Sequence, residues 1–181
     1  MPPGMKDTNN DIKKAFVAAA RDFDASLSTM RPYRNESEGY CEANLVEYYS
    51  HALRQLEFRP FREFPIPKGR VDALYYRDST VLLLEAKLLY QNSVKSIADD
   101  LARLQSLNLS DLLRRYGFPA NVTECFHIAL CDCWSFTEQQ QWTASPPHHS
   151  FLTGYTTRHH AFKHGHAKLP YAWLLAYTKN A

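Results

Sequence analysis

The chain has 181 residues, of which 45% are hydrophobic and 22% charged, proportions that are typical of a folded globular protein. Aromatic residues make up 13%, which excludes a chain that is disordered by composition. The formal net charge of +2 is too small to indicate a nucleic-acid or membrane partner by itself. The length fits one domain with a core of its own.

The cysteines indicate a reducing environment. Cys41, Cys125, Cys131 and Cys133 form no C-x-x-C pair, and the last two would face the same side of one apolar strand. We predict reduced core cysteines in a cytoplasmic protein, with a thiol nucleophile or a zinc ligand as the less favoured alternative. No apolar stretch reaches the roughly 18 residues that a membrane span needs, so we expect no membrane partner.

Two amphipathic helices open the chain. Residues 9–27 carry apolar side chains at helical spacing, and residues 40–58 repeat the pattern with Leu45, Tyr49 and Leu53 on one face. The next segment, 59–69, has three prolines, which predict an extended edge segment or a loop.

A hairpin follows. The polar stretch "RDST" separates two β-rich runs in "RVDALYYRDSTVLLLEAKLLY". With Asp78 and Ser79 as the turn residues, Arg77 pairs with Thr80 and Leu74 pairs with Leu83.

The same register places charged groups together inside an apolar run. Asp72 would lie opposite Glu85, and Lys87 would share the face of Glu85, because the side chains of a strand alternate. Two alternatives follow from this patch. It is either a structural ion pair, or a site whose two carboxylates take a divalent cation as counter-charge.

The remaining chain continues the α/β pattern. We predict a helix at 92–107, a short helix at 110–117, a strand at 121–134, a helical turn at 137–142 and a last strand at 171–179. Residues 143–169 show no clear periodicity. This order predicts an α/β fold with a mixed sheet of four to five strands flanked by helices.

The hairpin resembles the core motif of the PD-(D/E)xK nuclease superfamily, which has the restriction-endonuclease-like fold and an αβββαβ core. In "GRVDALYYRDSTVLLLEAK", Asp72 matches the first acid and Glu85-Ala86-Lys87 matches E-x-K. Val71 stands at the position of the motif's proline, and the run "RVD" matches a variant that many members carry.

The resemblance implies a Mg²⁺-dependent deoxyribonuclease, with Mn²⁺ as a substitute. Asp72, Glu85 and the Ala86 carbonyl would hold the metal, and Lys87 would assist the attacking water. The family's preceding helix often adds a glutamate. We favour Glu42, which shares the apolar face of its helix, over Glu47.

The resemblance also implies a DNA partner and one nuclease-like domain. Its parts would be a helical extension at 1–35, a catalytic core at 36–134, a His-rich loop region at 135–169 and a final strand at 170–178. Lys68, Arg70 and Lys95 are the first candidates for phosphate contacts, and Arg103, Arg114 and Arg115 would extend the track. Solvated helix faces are an equally good interpretation of these cations. A homodimer or a partner protein would be needed for specific sites. The alternative function is a non-catalytic domain of the same fold that binds nucleic acid or a protein.

Six histidines lie between His148 and His166. His159 with His160, or His164 with His166, would be possible transition-metal ligands, but the spacing matches no strong zinc signature. A loop that covers nucleic acid is the better functional interpretation. Tyr155 and Phe162 would then stack on bases, although we favour a role as anchors of the loop to the core.

Overall fold

The computed structural model describes residues 7–29, 42–67, 69–89, 94–163 and 171–180. In chain order, its helices and strands are α1 (Thr8–Thr29), α2 (Glu42–Gln55), β1 (Arg59–Ile66), β2 (Gly69–Arg77), β3 (Thr80–Leu89), α3 (Val94–Gln105), α4 (Leu109–Arg115), β4 (Glu124–Cys133), α5 (Phe136–Thr143), β5 (Thr156–Ala161) and β6 (Ala172–Lys179). A 3-10 turn spans Ser150–Leu152. Of the helices within these ranges, none is long and apolar enough to cross a membrane.

The strands form one mixed sheet in the order β1-β2-β3-β4-β6-β5. The central pair β3–β4 is parallel, and the other neighbours are antiparallel. Both central strands are buried almost throughout, which explains their unbroken apolar runs. The predicted mixed sheet flanked by helices is confirmed, but the expectation of four to five strands was wrong, because the described residues form a sheet of six.

The prediction left β1 uncertain and missed β5, and these two strands lie at the edges of the sheet. β1 contains Pro60 and Pro65, and an edge position tolerates proline because one side of the strand makes no ladder. β5 lies within the segment that was expected to be a loop. It is mostly exposed and polar, so it carries no alternating apolar pattern that marks it as a strand.

Helices cover both faces of the sheet. α1 and α2 pack on one face around buried residues that include Phe16, Leu45 and Tyr49. α3, α4 and α5 pack on the other face, where Leu101 and Trp142 are buried. The helix faces that the sequence predicted to be apolar are the faces that pack into the core.

The β2–β3 hairpin has the predicted register. Its ladder runs from Arg77↔Thr80 to Ala73↔Leu84, and the turn lies at Asp78 and Ser79. Asp78 has a φ of 53°, a left-handed conformation that aspartate tolerates better than most residues.

β2 leaves the regular ladder at Asp72. Its pairing with β3 ends at Ala73, one position before Asp72 would meet Glu85, so the direct opposition of these two residues is not part of the ladder. On the other side of β2, the ladder with β1 omits the Glu63–Asp72 pair, and Glu63 has a φ of 48°. The sheet therefore opens between β2 and the end of β3, which frees this position for side-chain contacts.

Candidate active site

Six charged side chains converge where β2 separates from β3. Four elements contribute them: Glu42 from α2, Asp72 from β2, Glu85 and Lys87 from β3, and Asp100 and Arg103 from α3. Four carboxylates thus share two cations. When all six groups are ionised, the cluster keeps two negative charges that no other described residue of the cluster compensates.

Asp72 is tied to the neighbouring strand through its side chain. Its Oδ2 accepts a hydrogen bond from the Ala86 backbone N–H at 2.6 Å. The carboxylate thus takes the place of a ladder partner for this amide, which satisfies a backbone donor beside the opening of the sheet. The bond holds the Asp72 carboxylate next to the Glu85-Ala86-Lys87 segment.

Glu85 is buried, with only 2% of its surface exposed. Its Oε1 accepts a charged hydrogen bond from Arg103 Nη2 at 2.5 Å. Burial, together with the neighbouring Asp72 and Asp100 carboxylates, raises the pKa of Glu85 to about 8 against the opposing effect of Arg103 and Lys87. The carboxyl therefore lies in an environment that resists its negative charge.

Lys87 lies between two carboxylates from different helices. Its Nζ is 3.4 Å from Asp100 Oδ2 and 3.6 Å from Glu42 Oε2. Burial by itself lowers the pKa of Lys87, but Glu42, Asp100 and Asp72 together raise it above the ordinary lysine value. The ammonium is thus held in its charged form at neutral pH.

The structure places the two candidate helix glutamates on opposite sides of α2. Besides Lys87, Glu42 contacts β3 through its Oε1, which accepts from the Leu88 backbone N–H at 3.4 Å. Glu47 pairs instead with Arg62 at the exposed surface, at 2.8 Å. The geometry therefore brings Glu42, and not Glu47, to the cluster.

Asp100 was not among the predicted site residues, and Arg103 was predicted either to contact phosphate or to lie on a solvated helix face. Arg103 was grouped with exposed cations, but its guanidinium points into the cluster and also contacts Asp100 Oδ1 at 3.0 Å. A helical wheel gives a signal for Asp100, because at 100° per residue it falls beside Ile97 and Leu101 on the sheet-facing side. Arg103 lies further round the helix, and only its long side chain reaches the cluster.

The other cations proposed for phosphate contacts do not line this cluster. Arg70 is exposed in β2, and Lys95 is exposed and pairs with Asp99 on α3. Arg114 and Arg115 are exposed on α4, and Arg114 pairs with Asp111. Lys68 lies outside the described residues.

The His-rich segment forms no site with this cluster among the residues that the structure describes. His149 is partly buried and pairs with Glu138 at 2.9 Å, while His159 and His160 lie in the edge strand β5. Tyr155 is buried and its hydroxyl accepts from Gln105, and Phe162 packs on the apolar core. These contacts agree with a role in anchoring the segment. His164 and His166 fall outside the described residues.

The chemistry of the cluster suits a hard cation. Carboxylate oxygens such as those of Asp72 and Glu85 are the donors that Mg²⁺ prefers. Within the described ranges, however, no group of three or more His, Cys, Asp or Glu side chains is arranged to hold a metal ion. Asp72 is bound to the Ala86 amide and Glu85 to Arg103. The donor types fit Mg²⁺, and binding would require Glu85 to exchange partners.

The chain was compared with known proteins in three ways. A scan against protein-family models found no match, and searches of the curated proteins and of the solved structures found none either.

Proposed function

We propose that the protein is a metal-dependent nuclease with a restriction-endonuclease-like fold, which hydrolyses phosphodiester bonds in DNA. The observation that carries the proposal is the convergence of Glu42 and Asp100 on Lys87, beside Asp72 and Glu85. A structural ion pair needs one carboxylate for each cation, whereas this cluster has an excess of carboxylates. Such an excess at the opened end of a sheet is what a divalent cation would compensate.

In this proposal, Asp72 and Glu85 hold Mg²⁺, with the Ala86 carbonyl as a third ligand. The bound metal supplies an acidified water and neutralises charge on the phosphoryl oxygens. Asp72 keeps its position through the Ala86 amide, so one ligand is already oriented against β3.

Lys87 acts as a donor in this mechanism. Glu42, Asp100 and Asp72 raise its pKa, which keeps the ammonium protonated. A protonated lysine orients the attacking water by hydrogen bonding and stabilises negative charge in the transition state, but it does not remove a proton. Of the ways in which Lys87 could assist the attacking water, its raised pKa favours orientation and charge stabilisation over deprotonation.

The partner would be DNA, contacted through exposed cations that include Arg70 and Lys95. A homodimer or a partner protein would supply further contacts for specific sites.

We also propose a cytoplasmic location, which is supported by the free, buried thiols of Cys125, Cys131 and Cys133.

A second candidate is a non-catalytic domain of the same fold that binds nucleic acid or a protein. The pairing of Arg103 with Glu85 favours this alternative, because it gives one proposed metal ligand a protein counter-ion. The two candidates differ in whether Asp72 and Glu85 bind a divalent cation.

The proposal is tested by incubating the protein with single-stranded, duplex and branched DNA in Mg²⁺, in Mn²⁺ and in chelator. Asp72→Asn is the test variant, since asparagine keeps an acceptor for the Ala86 amide. Glu47→Gln is the matched control at the exposed surface. We expect metal-dependent cleavage by the wild type and Glu47→Gln, and its loss in Asp72→Asn. Absence of cleavage and of metal binding in the wild type would favour the non-catalytic domain.

A further inference from the structure

The Arg103 guanidinium lies beside Glu85, where the proposed metal ion would bind. Its Nη2 binds both Glu85 Oε1 and Asp100 Oδ1, at 2.5 and 3.0 Å. Glu85 is almost fully buried, so this guanidinium is the counter-ion that reaches its carboxylate within salt-bridge distance among the described residues. The proposed metal would need the same oxygen.

The resting position of Arg103 leaves one of its own donors unsatisfied. Its Nε is buried and has no hydrogen-bond partner within the described part of the chain. A buried donor without a partner is energetically costly, and the cost is recovered when the group moves to water or another acceptor. Arg103 therefore binds Glu85 through Nη2, while its Nε would gain a hydrogen-bond partner if the side chain moved into water.

The backbone beside Arg103 makes room for it. A Cβ at Gly69 would lie 2.8 Å from Arg103 Nη1, and the φ of Gly69 is 142°, which L side chains rarely adopt. The first residue of β2 thus has no Cβ that would crowd the guanidinium in this position.

We propose that Arg103 is a displaceable counter-ion of Glu85: the guanidinium and a divalent cation bind this carboxylate in mutually exclusive states. Arg103 holds the site together without metal, and the metal releases it when it binds. This inference rests on the proposed function, because it takes Glu85 to be a metal ligand.

Calorimetric titration of Mn²⁺ alone into the full-length protein tests the exclusion. Arg103→Met removes the competitor, so Mn²⁺ should bind about 10- to 100-fold more tightly, the range expected from a lost charged hydrogen bond. Arg114→Met is the matched control, since Arg114 forms the same i,i+3 pair with Asp111 on an exposed helix and should leave affinity unchanged. Arg103→Gln replaces Arg103→Met if the latter does not fold, and it should also bind more tightly than the wild type.

A second readout follows Arg103 itself. Addition of Mg²⁺ to the wild type should accelerate hydrogen exchange at Arg103 Nε, measured by NMR. Arg77, which is buried against Asp11, serves as the internal reference and should stay protected.

The outcomes separate the two proposals. If the wild type binds Mn²⁺ through Asp72 and Glu85, but Arg103→Met binds no more tightly and Arg103 Nε stays protected, the displacement is wrong and the nuclease proposal stands. If no variant binds Mn²⁺, the displacement and the metal-dependent nuclease are both overturned.

Discussion

Lys87 and Glu42 show how the cluster depends on single residues from distant parts of the chain. Glu42 is the first residue of α2, and its carboxylate reaches both the Lys87 ammonium and the Leu88 amide. Asp100 contacts the same ammonium from α3. Lys87 is therefore oriented from both faces of the sheet, and loss of either acid should alter its position and its pKa.

Glu42→Gln tests the role of this glutamate. The change should lower the rate of metal-dependent cleavage by roughly 10- to 100-fold, because Lys87 loses one of the carboxylates that orient it. It should also lower the pKa of Lys87, which NMR titration of the lysine side chain measures, since Glu42 is the foremost of the charges that raise it. Glu47→Gln, on the exposed side of the same helix, should change neither quantity.

Asp72→Asn distinguishes a metal site from a structural ion-pair network. In chelator at pH 8.5, the change should not lower the free energy of unfolding, because the charge that it removes repels Glu85 as well as attracting Lys87. Asparagine retains the hydrogen bond with the Ala86 amide. Thermal melts with and without chelator make the measurement, and marked destabilisation in chelator would instead indicate a structural network.

The sequence predicted the hairpin register from Arg77–Thr80 to Ala73–Leu84, because strand periodicity determines it, but it did not predict that the ladder ends before Asp72 meets Glu85. Helix geometry placed Glu42, rather than Glu47, on the face of Leu45, once the family resemblance had suggested a glutamate on this helix. Local periodicity did not predict the direction of the Arg103 side chain. Its direction depends on where α3 crosses the sheet and on the missing side chain of Gly69, and neither is a local property of α3.

At the scale of elements, the hairpin that carries the site depends on its turn. Asp78 has a φ of 53°, where a β-branched side chain is strained. Asp78→Val should therefore lower the free energy of unfolding by roughly 1–2 kcal/mol, measured by urea denaturation. Asp78→Asn is the control, since asparagine tolerates this conformation, and an equal loss in both variants would contradict the explanation.

The elements that the sequence did not reveal depend on tertiary neighbours. β5 has exposed Arg158 and His159 and no apolar alternation, and it is a strand because β6 supplies its hydrogen bonds. β6 is buried on both faces and was predicted. A polar edge strand such as β5 is stabilised by its pairing with the neighbouring strand, and the local sequence pattern does not reveal that pairing.

At the scale of the whole molecule, two buried titratable groups give stability a dependence on pH. Burial raises the pKa of Asp132 to about 7, against the lowering effect of the Tyr171 hydroxyl and the Cys133 amide. Burial also lowers the pKa of His127 to about 4. The raised pKa of Asp132 stabilises the folded state fully below about pH 4, and this stabilisation is lost as the pH rises to about 7. The lowered pKa of His127 stabilises the folded state above about pH 6.5, and this stabilisation is lost as the pH falls to about 4.

Asp132→Asn isolates the first effect. The stability of the wild type relative to this variant should fall between pH 4 and 7, because the folded wild type binds a proton that the unfolded chain has released. The change amounts to about 1.4 kcal/mol for each unit by which the pKa is raised. Urea denaturation at several pH values gives the difference, in which the contribution of His127 cancels. A difference that does not vary with pH would contradict a protonated Asp132.

Lys87 is proposed to assist phosphodiester cleavage at a site that Asp72 and Glu85 form. The most direct test is the rate at which Lys87→Met cleaves DNA in saturating Mg²⁺, measured beside its affinity for Mn²⁺. We predict that the wild type cleaves DNA, that the variant is slower by at least about 100-fold, and that its Mn²⁺ affinity is undiminished, because methionine removes a donor and a positive charge without removing a metal ligand. Equal cleavage by the two proteins, or no cleavage by the wild type, would contradict the claim.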